Sequence, residues 1–185
     1  MPAFDFQFTP HKELLPDGRA AILIGDTSAW DIPAGMSENN PDAAGAANRC
    51  LAVLLQFLQR PGEIDLSSLA IADLEEQLRS AQLEVVCTQA ETCEDLAQQI
   101  ETGRFVVLFV NAGNLWQSAA AVEDGHANHA VLATAVARDQ AGDLLAMLIR
   151  DPARKTPRYL SIQLLTSCWL KPSGLMITAD EKLDF

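Results

Sequence analysis

The sequence predicts an α+β fold: a central helix from the N-terminal half packed on an antiparallel sheet from the C-terminal half. Three observations carry that prediction. A helix start at Asn40-Pro41-Asp42 leads into Cys50 to Leu55 and then Phe57-Leu58, a stretch hydrophobic nearly all round, as a buried helix is. His129 to Arg138 and Leu144 to Arg150 read as two strands joined by Asp139-Gln140-Ala141-Gly142, a hairpin signature. Helical segments come first and strands later, rather than alternating, which is the α+β order.

Taken in order, residues 1–40 are rich in turn formers and read as an irregular N-terminal segment. Within it only Ala20 to Ile24 resembles a strand, ended by Gly25-Asp26. Asn40 can cap the central helix, Pro41 suits its first position, and Pro61-Gly62 ends it. A second helix runs from Ser67 or Ser68 to Ser80, with Leu69, Ile71, Leu74 and Leu78 as its apolar stripe. Leu83 to Cys87 is a short strand. Thr92 and Asp95 form a capping-box pattern for a third helix, which Gly103 terminates. Phe105 to Asn111 is continuous and β-branched, as a buried strand is. Residues 112–127 read as a loop, Tyr159 to Trp169 as a further short element, and Leu175 to Thr178 as a last strand. The boundaries expected are one domain over 1–185, with a helical half at 41–104 and a sheet half at 105–185.

Composition narrows the function classes. Of 185 residues, 49% are hydrophobic and 21% charged, which allows a real core. The 25 acidic residues outnumber the 13 basic ones, for a net charge of −12. Such a surface repels phosphate, so neither nucleic acid nor an anionic membrane is expected as a partner, whereas a basic protein partner is compatible. The apolar run Phe105 to Val110 is far short of the ~20 residues that span a bilayer. No signal-peptide pattern opens the chain, so the expected location is the cytoplasm, or export as an effector without such a signal. Cys50, Cys87, Cys93 and Cys168 match no zinc spacing, and reduced thiols are expected. His126 and His129 stand beside Asp124, but this set falls short of the ligands a zinc site needs, so no metal and no cofactor are expected.

The hairpin carries the chemistry. With its turn centred between Gln140 and Ala141, His129 at the start of one strand and Asp151 just past the end of the other come side by side. A carboxylate so placed holds an imidazole in one tautomer, and the imidazole can then serve as general base for a nucleophile on another element. Trp116, in the 112–127 segment, is either a substrate contact or packing.

These residues resemble a known family. Asn128-His129-Ala130-Val131-Leu132, the turn with Gly142, and Ile149-Arg150-Asp151-Pro152 resemble the second half of the papain-like cysteine peptidases. The likeness is to bacterial double-glycine leader peptidases and to papain-fold toxin and effector domains, and it extends over residues 40–178. Asn48-Arg49-Cys50-Leu51-Ala52 and Gly103-Arg104-Phe105-Val106-Val107 fit the same order. The resemblance implies a thiol hydrolase acting on amide bonds of a protein or peptide, a peptidase or a glutamine deamidase. Cys50 would be the nucleophile, His129 the base, Asp151 its orienter and Asn40 a donor to the oxyanion. Two placements stay open. Cys50-Leu51-Ala52 resembles the papain Cys-Trp-Ala at a helix start. Aligned instead on the leader-peptidase Cys-Gly-Pro-Ala-Cys-Leu-Ala, the catalytic Cys falls on Ala46 and the preceding Gln on Asn40. That second placement implies an inactive papain-like module that binds a peptide or partner protein, through natural loss of the nucleophile or a Cys→Ala change at Ala46.

Overall fold

A computed structural model describes residues 9–27, 85–104, 106–117, 125–127, 129–151, 154 and 156–179. Among these, eight strands form one antiparallel sheet: β1 (His11–Leu14), β2 (Ala20–Gly25), β3 (Val85–Gln89), β4 (Val106–Val110), β5 (His129–Arg138), β6 (Leu144–Arg150), β7 (Arg158–Ser161) and β8 (Leu175–Ala179). The helices are α1 (Cys93–Glu101), α2 (Ala112–Trp116) and α3 (Ile162–Leu165), which widens into a π-turn over Thr166–Leu170. The central helix expected over residues 41–60 and the helix from Ser67 lie outside the described residues.

Strand β5 is the spine. One of its edges pairs with β6 along most of its length. Its other edge is shared: residues 129–133 pair with β4, and 135–138 with β2. Thr134 sits at the changeover as a bulge, unpaired with β6 between Ala133 opposite Ile149 and Ala135 opposite Leu148. Its carbonyl oxygen accepts the Asp26 N–H at 2.8 Å. Gly25 pairs with Ala135 at φ +125°, and a Cβ there would stand 2.4 Å from the Thr134 oxygen and 2.6 Å from the Ala135 Cα. Only glycine fits that approach.

Both faces of the sheet are buried. On one, Val106, Leu108, Val110, Val131, Ala133, Met147 and Ile149 pack with Leu96 and Ile100 of α1, Leu115 of α2, and Leu165, Cys168 and Trp169. On the other, Val107, Phe109, Ala130, Leu132 and Ile177 are almost wholly buried too. At the hairpin end Leu15, Ala21, Leu23, Ala137 and Ala146 form a second cluster.

The capping box at Thr92 and Asp95 forms as expected. The Thr92 hydroxyl accepts the Asp95 N–H, and the Asp95 carboxylate accepts the N–H groups of Thr92 and Glu91. Gly103, at φ +89°, closes the C-terminus by donating to the Ile100 carbonyl.

Four readings are corrected. Residues 11–25 are a hairpin, not an irregular segment with a single strand, because the exposed His11–Leu14 carries no alternation by which a strand could be recognised. The strand expected to end at Cys87 runs on to Gln89, in register with β8, while Leu83 and Glu84 lie outside the described residues. The reading of 112–127 as a loop overlooked α2, a short helix capped by Asn111, whose side chain accepts the Asn114 N–H; that residue therefore belongs to the cap and not to the strand. Tyr159 to Trp169 divides into β7 and a helix capped by Ser161.

Candidate active site

The polar residues gather where β4 ends, β5 begins and β6 ends. His129 opens β5 opposite Val110 and shares the face of Val131 and Ala133. Leu132 pairs with Arg150, so the continued register sets Asp151 opposite Val131, a diagonal neighbour of His129. The imidazole spans that diagonal: His129 Nε2 and Asp151 Oδ2 are 2.8 Å apart. Both side chains are buried, at 11% and 3% exposure. A carboxylate oxygen accepts, so Nε2 donates, and this leaves Nδ1 as the imidazole's acceptor.

Neighbouring groups fix both strand ends. Asn111 Nδ2 donates to the His126 carbonyl at 2.8 Å, tying down the chain just before His129. The Asn111 N–H donates to the Cys168 carbonyl and Asn114 Nδ2 to that of Ser167, which locks α2 to the π-turn. Past β6, the Asp151 carbonyl accepts the Arg154 N–H at 2.8 Å, so the chain turns at once. Arg150 faces away from this pair. Its Nε donates to Thr134 Oγ1 at 3.2 Å, and a second nitrogen lies 3.4 Å from the Asp26 carbonyl. Burial lowers the Arg150 pKa, opposed by the charges of Asp26 and Tyr159.

Sequence reasoning passed over Asn111 and the Arg150–Thr134–Asp26 contacts. The Asn111/Asn114 spacing was a signal for the first, as an N-cap three residues ahead of its donor; the second depends on a bulge that no local pattern announces. Trp116, on α2, is approached by two guanidiniums: Arg154 Cζ is 3.6 Å and Arg158 Cζ 5.5 Å from its ring centroid. Cys50, Asn40 and Ala46 lie outside the described residues.

Two of the remaining thiols are poor nucleophiles. Burial raises the Cys93 pKa and pushes Cys168 up to about 12, while Cys87 is half-buried on β3. Among the described residues no three His, Cys, Asp or Glu side chains come together as a metal site, and no helix is long and apolar enough to cross a membrane.

The antiparallel sheet with few helices is a fold shared with a solved structure. The particular likeness is to a crystal structure from Bacillus anthracis, provisionally described as a C39-like peptidase. It matches with a TM-score of 0.58 at 14% identity, over 85% of this chain and 97% of that one. No protein-family model matches the chain, and no curated protein does.

Proposed function

We propose that this chain is a papain-like thiol hydrolase of amide bonds, with Cys50 as nucleophile, His129 as base and Asp151 as orienter. The observation that supports it is the buried 2.8 Å contact between His129 and Asp151 at the end of a sheet of this fold. In this reading Nδ1 takes the Cys50 thiol proton, and the thiolate attacks the carbonyl carbon. The oxyanion takes hydrogen bonds from donors that include Asn40. The intermediate collapses, the C–N bond breaks, and the amine leaves with the proton from Nδ1. Water then hydrolyses the thioester and releases the acid. A peptide bond or a protein Gln side chain suits the same steps, so a peptidase and a glutamine deamidase share this machinery.

The second reading is a papain-like module that binds a peptide or partner protein without chemistry. Ala46 favours it, standing where the leader-peptidase alignment puts the nucleophile.

The test is iodoacetamide labelling of Cys50, followed by mass spectrometry from about pH 5 to about pH 9, with His129→Ala as control. The hydrolase reading expects fast labelling that persists at low pH and slows in the control. Labelling of Cys50 only after denaturant is added would overturn it and favour the binding module, and Ala46→Cys would then be tested for restored cleavage. For an active chain, the mass of a treated protein substrate separates backbone cleavage from conversion of Gln to Glu.

A further inference from the structure

Four of the 13 Lys and Arg residues in this acidic chain fall within residues 150–158, around Asp151. Two of them converge on Trp116. Arg158 is engaged, donating to the Leu115 carbonyl at 3.1 Å, where it meets the C-terminal end of α2. Arg154 differs. It is exposed, and among the described residues it has no carboxylate partner.

Arg154 Cζ stands over the Trp116 ring at cation–π distance, 3.6 Å from its centroid. A guanidinium's N–H groups lie in its own plane, so one stacked face-on keeps their edge available to a ligand. That edge is a rigid fork matched to a carboxylate. Stacking also removes much of the rotamer freedom that a long side chain would otherwise lose on binding. The turn from the Asp151 carbonyl to the Arg154 N–H sets this fork three residues past the group that orients His129.

We propose that Arg154, held on Trp116, is a specificity-determining residue that binds a carboxylate of the substrate beside the His129–Asp151 pair. The ligand's being a substrate rests on the hydrolase reading; its being a carboxylate rests on the Arg154–Trp116 geometry alone. The carboxylate belongs either to an Asp or Glu side chain or to a free C-terminus. The net charge of −12 works against non-specific attraction of acidic peptides, so any preference for them is local.

The test presents two random peptide libraries to the full chain, one with amidated and one with free C-termini. It is run at about 0.15 M salt, where the Debye length is ~8 Å. Retained peptides are identified by mass spectrometry for wild type, Arg154→Gln and Arg154→Lys, with melting temperatures confirming that each variant folds. The expected result is roughly fivefold enrichment of carboxylate-bearing peptides, lost in Arg154→Gln and partly kept in Arg154→Lys, which retains charge without the fork. Enrichment of acidic positions in the amidated library identifies a side chain; enrichment confined to the free-ended library identifies a C-terminus. No enrichment, or equal enrichment in Arg154→Gln, overturns the inference. Cleavage of the same libraries is scored separately. Cleavage without acidic preference sinks this inference and leaves the hydrolase reading, whereas acidic retention without cleavage does the reverse.

Discussion

At His129 the choice of nitrogen decides what the side chain can do. Engagement of Nε2 by Asp151 leaves Nδ1 as acceptor, so the partner's role is to hold a tautomer as well as an orientation. An amide oxygen can accept from Nε2 as a carboxylate does. If Cys50 is the nucleophile proposed, Asp151→Asn is expected to keep more of its His129-dependent reactivity than Asp151→Ala, which leaves a buried donor unpaired. Removing that acceptor is expected to cost about 1–3 kcal/mol of stability, readable as a lower midpoint in urea. Equal labelling rates in the two variants would argue against a tautomer-holding role. This pair was legible because a hairpin turn sets the strand ends through local chemistry alone. The offset was not: register irregularities near Arg138 and at Thr134 lie between the turn and the strand ends, and they leave Asp151 opposite Val131, so the two residues meet on a diagonal rather than face to face.

Among the elements, α1 is the one whose limits the sequence announced most clearly, since capping depends on residues three apart and on nothing distant. Thr92→Ala removes the acceptor for the Asp95 N–H and is expected to cost ~1 kcal/mol in thermal or urea unfolding. The hydrogen bonds from Thr92 and Glu91 hold the Asp95 carboxyl below its ordinary value of 3.8. A lowered native pKa means stability present above the unfolded value and lost as pH falls through the native one. Acid titration of the melting temperature below about pH 4 is thus expected to be steeper in wild type than in Asp95→Asn; parallel curves would show that Asp95 does not contribute. The long-range tie of this helix was not legible. Arg138, at the end of β5, donates to Glu101 at 2.5 Å and to Glu94, both on α1, and their carboxylates raise its pKa. Glycine at position 25 belongs to the same class of long-range constraint. Gly25→Ala would drive a Cβ into the backbone of β5, and a loss of roughly 1–3 kcal/mol is expected, with the changeover from β4 to β2 as the part disturbed.

Across the whole molecule, the strand patterns were enough for an antiparallel sheet, but not for the way one strand serves three partners, since pairing between β5 and β2 joins residues more than a hundred positions apart. The same order left the nucleophile's half to resemblance, and Cys50 remains a proposal. The global burial pattern makes that proposal measurable. Cys93 and Cys168 lie inside the cluster between the sheet and its helices, and burial raises both thiols, Cys168 to about 12. For these two, reaction needs the cluster to open, and native stabilities of about 5–15 kcal/mol make such opening rare. Their labelling is expected to be slower than that of an accessible thiol by more than ~10³-fold and to accelerate with urea along the global unfolding curve. Half-buried Cys87 is expected to label without urea. A thiol that labels faster than Cys87, keeps labelling at low pH and is indifferent to sub-denaturing urea would then be set apart from the other three by behaviour alone. If Cys50 instead follows the urea dependence of Cys93 and Cys168, it belongs to the interior and cannot be the attacking group.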